Sequence, residues 1–247
     1  MREQYTTANQ ELAASPAANA GSASPAHNLA LSRTNDFAAA RRRPVSAAAY
    51  EISKRGFDLT AASILIVGLL PLFVLVAVAV KLSSRGPVFF RHRRLGLAGR
   101  EFYCLKFRTM VSNAEELLTT DPQLQGQFNS KFKIDEDPRV TRIGKFLRCT
   151  SLDELPQLFH VIEGKMSLIG PRPIIDRERE KYSIYVSKLL SVRPGLSGLW
   201  QVSGRIETTY SQRVLLDMYY IDNRSTAMDF KIFLKTFITV LKKTGAC

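Results

Sequence analysis

The sequence predicts an α+β fold: one hydrophobic N-terminal helix associated with a membrane, joined to a small cytosolic α/β domain that carries interfacial amphipathic helices. Three observations predict it. The run from Ala61 to Val80 has no charged residue and is long enough to cross a bilayer core. The residues after it read as a short hairpin. The remainder breaks into short amphipathic stretches separated by Gly and Pro. A chain of 247 residues with a formal net charge of +13 has room for one sizeable domain with appendages. It also points to an acidic partner, whether anionic lipid, phosphorylated substrate or nucleic acid.

Residues 1–48 read as a disordered Ala/Ser/Pro-rich tail with almost nothing to bury, closed by Arg41, Arg42 and Arg43. Residues 49–83 read as a membrane helix with a kink at Pro71, which sits mid-run and removes a backbone donor. Lys54 and Arg55 precede the apolar run, and Lys81, Arg85, Arg91, Arg93 and Arg94 follow it. A spanning helix biases its Lys and Arg toward one side. Basic flanks on both sides and a central Pro favour a re-entrant hairpin, with both ends cytoplasmic, over a straight span.

Residues 84–247 read as the cytosolic domain. Ser84–Phe90 reads as a turn running into a strand-like segment, and His92–Gly96 with Glu101–Met110 reads as a short hairpin. Lys106 and Arg108 alternate onto one strand face, where the pair is placed to reach phosphates; His92 alone reads as structural. A helix is expected over Val111–Leu118 and a turn at Asp135–Arg139. Val140–Leu147 carries Arg142 and Lys145, and an amphipathic helix is expected over Asp176–Leu190. In Arg193–Arg205, Gly195, Gly198 and Gly204 would let the backbone approach a ligand. Trp200, Gln201 and Arg205 could stack on a base and hydrogen-bond a base or phosphate, although Trp200 as ordinary core is the plainer alternative. Phe230, Phe233, Phe237 and Leu241 recur near helical spacing among lysines, which fits core packing or an interfacial helix. Cys104, Cys149 and Cys247 have no metal-like spacing and read as reduced thiols.

The stretch from Arg148 to Pro173 holds the candidate chemistry. Asp153 and Glu154 are adjacent carboxylates, framed by Arg148 before them and by Arg172, between Pro171 and Pro173, after them. Ser151-Leu-Asp-Glu154 also fits a capping box, with Ser151 as N-cap and Glu154 at N3. Pro156 counts against that placement, because at N5 it would remove a helix donor whereas near N1 it is welcome. A helix starting near Leu155 leaves both carboxylates in the turn before it, facing a positive helix terminus.

Six motifs then occur in order: KRGFDL at 54–59, KFRTM at 106–110, DPRVTRIGKFLR at 137–148, SLDELPQL at 151–158, MSLIGPRP at 166–173 and RPGLSGLWQVSGR at 193–205. Over residues 50–247 the chain resembles the bacterial monotopic phosphoglycosyl transferases of the small exopolysaccharide-priming kind. The resemblance implies transfer of a sugar 1-phosphate from a UDP-sugar, with galactose or glucose as the leading choice of sugar, to undecaprenyl phosphate, releasing UMP. It implies a re-entrant helix in the bacterial inner membrane with the catalytic domain facing the cytoplasm. It matches the family's Asp-Glu dyad to Asp153 and Glu154, and its supporting arginines to Arg148 and Arg172. One departure is Leu70-Pro71, where some members carry Ser-Pro.

The chemistry asks for such residues. Lys106, Arg108, Arg148 and Arg172 would lower the cost of bringing a carboxylate to a diphosphate. Mg2+ bridging phosphate oxygens needs a hard oxygen ligand such as Glu154. A carboxylate nucleophile, Asp153, splits one transfer into two easier ones, and the cationic setting is expected to hold it ionised. Two other readings are a conventional glycosyltransferase, with Asp153 as base and UDP released, and a membrane-anchored nucleic-acid binder. The second explains the charge but not the paired carboxylates, so nucleic acid is not the expected partner. The expected partners are UDP-sugar, undecaprenyl phosphate and inner-membrane lipids, with assembly as a homo-oligomer left open.

Overall fold

The computed structural model describes residues 47–131, 134, 137–204 and 209–241. Residues 1–46 of the expected tail, and Arg205, lie outside the described residues.

Two helices, α1 (Ala47–Gly68) and α2 (Leu70–Ser83), stand where one kinked helix is expected, and they are bent by 61°. Pro71 causes the break. It has no N–H to continue the ladder, but it is tolerated in the first turn of α2, where that donor would be unused. The bend is still bridged, because Leu69 N donates to Leu65 O and Phe73 N to Leu69 O, both at 2.9 Å. Among the described residues no single helix is long and apolar enough to cross a membrane; the bent pair taken together passes that test as a broken span or a re-entrant loop.

One side of the pair docks on the domain. Ala62, Phe73, Val76 and Val80 join Phe107, Leu147, Leu158 and Val161 in the main core. Each large apolar side chain so buried contributes about 1.5–3 kcal/mol. The other side leaves Ile64, Val67, Leu70, Val74, Leu75, Val78 and Leu82 exposed, far more apolar surface than scattered single residues would give. Polar ties fix α1. Arg55 donates to Val161 O (2.6 Å) and Ile162 O (2.9 Å) at the end of a short helix, where a cation complements the free carbonyls. Asp58 Oδ1 accepts from Leu168 N at 3.0 Å. Lys54 is buried against Asp229. Lys54 and Arg55, read as charges flanking a membrane segment, are therefore turned into the protein.

Beyond α2, β1 (Phe89–Leu95) pairs antiparallel with β2 (Glu101–Phe107), Phe89 opposite Phe107 and Leu95 opposite Glu101. The strand-like segment expected to reach Phe90 and the hairpin strand expected from His92 are one strand, β1. Its turn takes left-handed conformations at Ala98 (φ 55°) and Gly99 (φ 73°). Then follow α3 (Ala114–Thr120), α4 (Pro122–Lys131) and α5 (Arg142–Cys149). Thr141 caps α5 by accepting from Gly144 N at 2.9 Å. A 3-10 turn over Leu152–Glu154 leads to α6 (Gln157–Ile162).

A second, two-stranded sheet pairs β3 (Ser167–Ile169) in parallel with β4 (Gly195–Ser197). Between them the expected helix over Asp176–Leu190 is broken. It forms α7 (Arg179–Tyr182) and α8 (Val186–Leu189) with 3-10 turns before each, and Ser183 is left-handed at φ 47°. Last come α9 (Leu199–Val202), α10 (Tyr210–Asn223) and α11 (Thr226–Leu241). Two of the glycines expected to open backbone to a ligand, Gly195 and Gly198, serve the fold instead. A Cβ on Gly195 would collide with the backbone of Gly170, and one on Gly198 with Gly170 O. Cys104 is free and buried, and Cys247 lies outside the described residues.

Candidate active site

Ser151 is left-handed, with φ 56°, and makes no side-chain cap, so the capping-box reading fails. The backbone closes the turn instead, with Glu154 N donating to Ser151 O and Leu155 N to Leu152 O, each at 3.2 Å. Pro156 then stands at the N-cap of α6, whose first residue is Gln157. Asp153 and Glu154 thus lie in the turn ahead of the helix, as Pro156 suggested.

Strand β2 brings Lys106 to this turn. Its Nζ lies 2.6 Å from Glu154 Oε1 and 3.6 Å from Asp153 Oδ2. Arg172 Nη1 reaches the same Glu154 oxygen at 3.3 Å. Arg148, in the last turn of α5, donates through Nε to Thr109 Oγ1 at 2.9 Å, and its charge acts on Asp153. Thr109 is tied in turn. Its carbonyl accepts from Thr141 N at 3.0 Å, and α5 lies so close that a Cβ on Gly144 would run into that carbonyl. His160 of α6 accepts from Leu105 N through Nε2 at 3.0 Å, and its Nδ1 meets Glu163 at 3.1 Å. That pattern fixes the tautomer with the proton on Nδ1 and holds β2 beside the dyad. Neither Thr109 nor His160 was singled out in the sequence. Both act by long-range contacts that no local spacing reports.

Burial pushes the Asp153 carboxyl up; Lys106 pulls it back down, and the neighbouring Glu154 charge adds to the rise. The expectation that the cationic setting sets the direction at Asp153 is not met. In the bare site desolvation outweighs them.

Five expected site residues are placed elsewhere or lie outside. Arg108 turns away from the dyad. Its guanidinium donates to Ser84 O (2.7 Å), Ser84 Oγ (3.0 Å) and Val80 O (3.4 Å), and to Pro87 O, so it caps the C-terminal end of α2. Strand alternation ends at Phe107, which is why Lys106 and Arg108 do not share a face. Arg142 is exposed in the first turn of α5. It is six residues from Arg148, about 9 Å along the helix axis. Trp200 packs against the main core with the Arg213 guanidinium 5.0 Å over its ring. Gln201 is buried and donates to Leu196 O at 3.4 Å. Arg205 lies outside the described residues.

For Mg2+, the donor set has the right chemistry: two adjacent carboxylates offer hard oxygens, and this ion commonly completes its octahedron with phosphate oxygens and water. Among the described residues no cluster of three or more His, Cys, Asp or Glu would hold an ion unaided, so substrate would have to supply ligands.

The chain is 47% identical over 197 residues to the UDP-galactose-lipid carrier transferase of Erwinia amylovora, covering 78% of this chain and 41% of that protein. It is 44% identical over 199 residues to the exopolysaccharide production protein ExoY of Sinorhizobium fredii, covering 79% and 88%. It is 40% identical over 205 residues to the UDP-glucose:undecaprenyl-phosphate glucose-1-phosphate transferase of Xanthomonas campestris, covering 80% and 40%. The chain thus spans about two fifths of the first and third relatives and most of the second. With residues 49–243 matching the model of that family, the chain belongs to the bacterial sugar transferase family.

Proposed function

We propose that this chain transfers a hexose 1-phosphate, galactose or glucose, from a UDP-sugar to undecaprenyl phosphate, as the first membrane step of exopolysaccharide repeat-unit synthesis. One observation carries the reading: two adjacent carboxylates meet Lys106, Arg148 and Arg172 in a half-open site, beside a bent apolar helix pair. The names of the relatives support the substrate classes. The exposed apolar side of α1 and α2 supports a re-entrant seat in the cytoplasmic membrane, with the domain on the cytoplasmic side.

Lys106, Arg148 and Arg172 hold the diphosphate, and their charges work against burial to favour the ionised form of Asp153. Asp153 attacks the phosphorus that bears the sugar. The bond from that phosphorus to the UMP oxygen breaks, and UMP leaves with the electron pair. The sugar phosphate stays on the carboxylate as an acyl phosphate. An oxygen of undecaprenyl phosphate then attacks the same phosphorus and frees Asp153. Mg2+, held by Glu154 and phosphate oxygens, would neutralise charge on the diphosphate.

Mixing the protein with UDP-sugar and no lipid acceptor tests this. A sugar-phosphate adduct on the peptide carrying Asp153, with UMP released, is expected. No adduct, and UDP as the released nucleotide, would favour the conventional glycosyltransferase. For the membrane seat, cysteine labelling at Ser83 and ahead of α1 should be cytoplasmic for both sites. Pro71→Leu should straighten the pair and lower activity.

A further inference from the structure

Arg172 sits in the loop Gly170–Ile175, and the backbone on both sides of it is fastened. Gly195 N donates to Pro171 O at 2.8 Å and Leu95 N to Ile174 O at 2.9 Å. Gly170 N also donates to Ser197 O at 2.9 Å and Glu178 N to Ile175 O at 3.0 Å, and two further fasteners are charged side chains. Arg94, on β1, donates through Nη1 to Pro173 O at 3.0 Å. Glu178 Oε2 accepts from Ile175 N at 2.9 Å and lies 3.6 Å from Arg94 Nη1. The second oxygen of Glu178 takes the Tyr210 hydroxyl at 3.2 Å and Arg213 Nη1 at 3.4 Å. Arg94, Glu178 and Arg213 are 17%, 18% and 11% exposed at their side chains. Arg213 is in turn packed by the rings of Trp200 and Tyr210, each 5.0 Å from its guanidinium carbon. Burial raises the Glu178 carboxyl, but Arg213, the Ile175 N–H and Arg94 outweigh that and leave it below its ordinary value.

A buried chain of alternating charges costs desolvation and is weak evidence for stability by itself. Here two of the links end on the backbone that follows Arg172, at Pro173 O and Ile175 N, and Arg172 touches Glu154. The Arg94 guanidinium is committed to Pro173 O and Glu178. We propose that Arg94 and Glu178 are positioning residues for Arg172: they hold the Pro171–Ile175 backbone so that the Arg172 guanidinium meets a bound diphosphate in the geometry the dyad requires. This rests on the reading of Arg172 as a phosphate-binding residue. It makes α10, which supplies Tyr210 and Arg213, part of the support of a site it does not enter. Small displacements of a binding guanidinium are costly, on the order of a hundredfold for about 1 Å.

The test is a double-mutant cycle on the full chain in detergent, read in two ways: affinity for inorganic pyrophosphate by calorimetry, and kcat/KM for UMP release from UDP-sugar. Arg94→Ala should lower both about 10- to 100-fold in the parent chain and should cost nothing further when Arg172 is already Ala. Arg94→Lys, which keeps the charge but not the two-pronged donor, should recover part of the loss. Glu178→Gln, which keeps an acceptor for Ile175 N, covers the case in which Arg94→Ala does not fold, and should show the same dependence on Arg172. An equal fold-loss in both backgrounds would overturn the proposal, because it would mean a general structural role or direct contact with phosphate. Absence of pyrophosphate binding by the parent chain would overturn it as well. If the cycle couples in pyrophosphate binding while no UDP-sugar releases UMP, the positioning stands and the proposed reaction fails.

Discussion

Two lysines of this chain meet buried carboxylates, and the contrast between them separates a fastener from a site. Lys54 Nζ lies 2.9 Å from Asp229 Oδ2, with side chains 9% and 3% exposed. The Tyr50 and Tyr220 hydroxyls donate to the same carboxylate at 2.8 and 2.7 Å. Asp229 is saturated by its own chain and bolts α1 to α10 and α11. Lys106 Nζ lies 2.6 Å from Glu154 Oε1, but here the side chains are 20% and 12% exposed. A second carboxylate, Asp153, shares the lysine, and Arg172 and Arg148 add charge. Two carboxylates side by side raise each other's cost of ionising. A fold that needed only a tie would use one. The mark of the site is the surplus of both signs in a partly open place, which a charged ligand can complete.

Exchanging the two acids breaks the comparison most sharply. Asp153→Asn should leave the melting temperature near that of the parent and lower turnover by roughly four orders of magnitude, as loss of a covalent nucleophile does. Asp229→Asn should do the reverse. It leaves Lys54 buried without its counter-charge and should cost about 3–5 kcal/mol of stability, with UMP release per folded molecule unchanged. Denaturant unfolding alongside the activity assay checks both. If Asp229→Asn lost activity while keeping its stability, the division into fastener and site would be wrong. Next in size is Glu154→Gln, expected to lower UMP release by roughly a hundredfold or more by removing a metal ligand. Full activity in excess chelator would remove that role.

Much of the site was legible because it is local. Asp153 and Glu154 are adjacent, and Pro156 sets the helix start behind them whatever the rest of the chain does. The bend at Pro71 is equally local, a matter of one missing N–H. The fold class was legible in its mixture of helices and short strands, but not in its detail. Ser183 in the left-handed region breaks an amphipathic pattern that periodicity alone carries through. The errors fall where a residue's role depends on something distant in sequence. Lys54 looks like a flanking charge until Asp229 is placed beside it. Gly195 and Gly198 look like a ligand loop until Gly170 is found against them. Arg108 looks like the partner of Lys106, but the strand ends between them and the α2 carbonyls claim it.

Arg108 sharpens the comparison from the other side, since it was expected in the site and is a fastener. Arg108→Ala would leave α2 carbonyls with no cationic donor. It should cost about 2–3 kcal/mol of stability, in the range of hydrogen bonds to charged groups, with kcat/KM for the UDP-sugar close to the parent value in the folded fraction. Lys106→Ala should behave oppositely, losing kcat/KM with little change in stability. A large KM increase for Arg108→Ala at unchanged stability would return it to the site.

The smallest expected effect concerns Asp217, a fastener that lacks the saturation of Asp229. It is buried, accepts the Tyr182 hydroxyl at 2.7 Å and lies 3.9 Å from Arg213 Nε, but its Oδ1 has no hydrogen-bond partner. Burial pushes its carboxyl from an ordinary 3.8 up to about 7, against the pull of Arg213 and the Tyr182 hydrogen bond. The sign follows from linkage. Between those values the folded chain keeps a proton that the unfolded chain has lost. The contribution to stability is therefore full below pH ~4 and is lost as pH rises through about 7. The rise caps the effect at about 4 kcal/mol, and the nearby Arg213 charge should bring it nearer 1–2 kcal/mol. Asp217→Asn mimics the protonated acid at every pH. Its stability relative to the parent chain should therefore improve steadily from pH 4 to 8, by denaturant unfolding at each pH. A difference between the two that stays flat over that range would mean Asp217 is ionised throughout in the fold. It would then be paired with Arg213 as firmly as Asp229 is with Lys54.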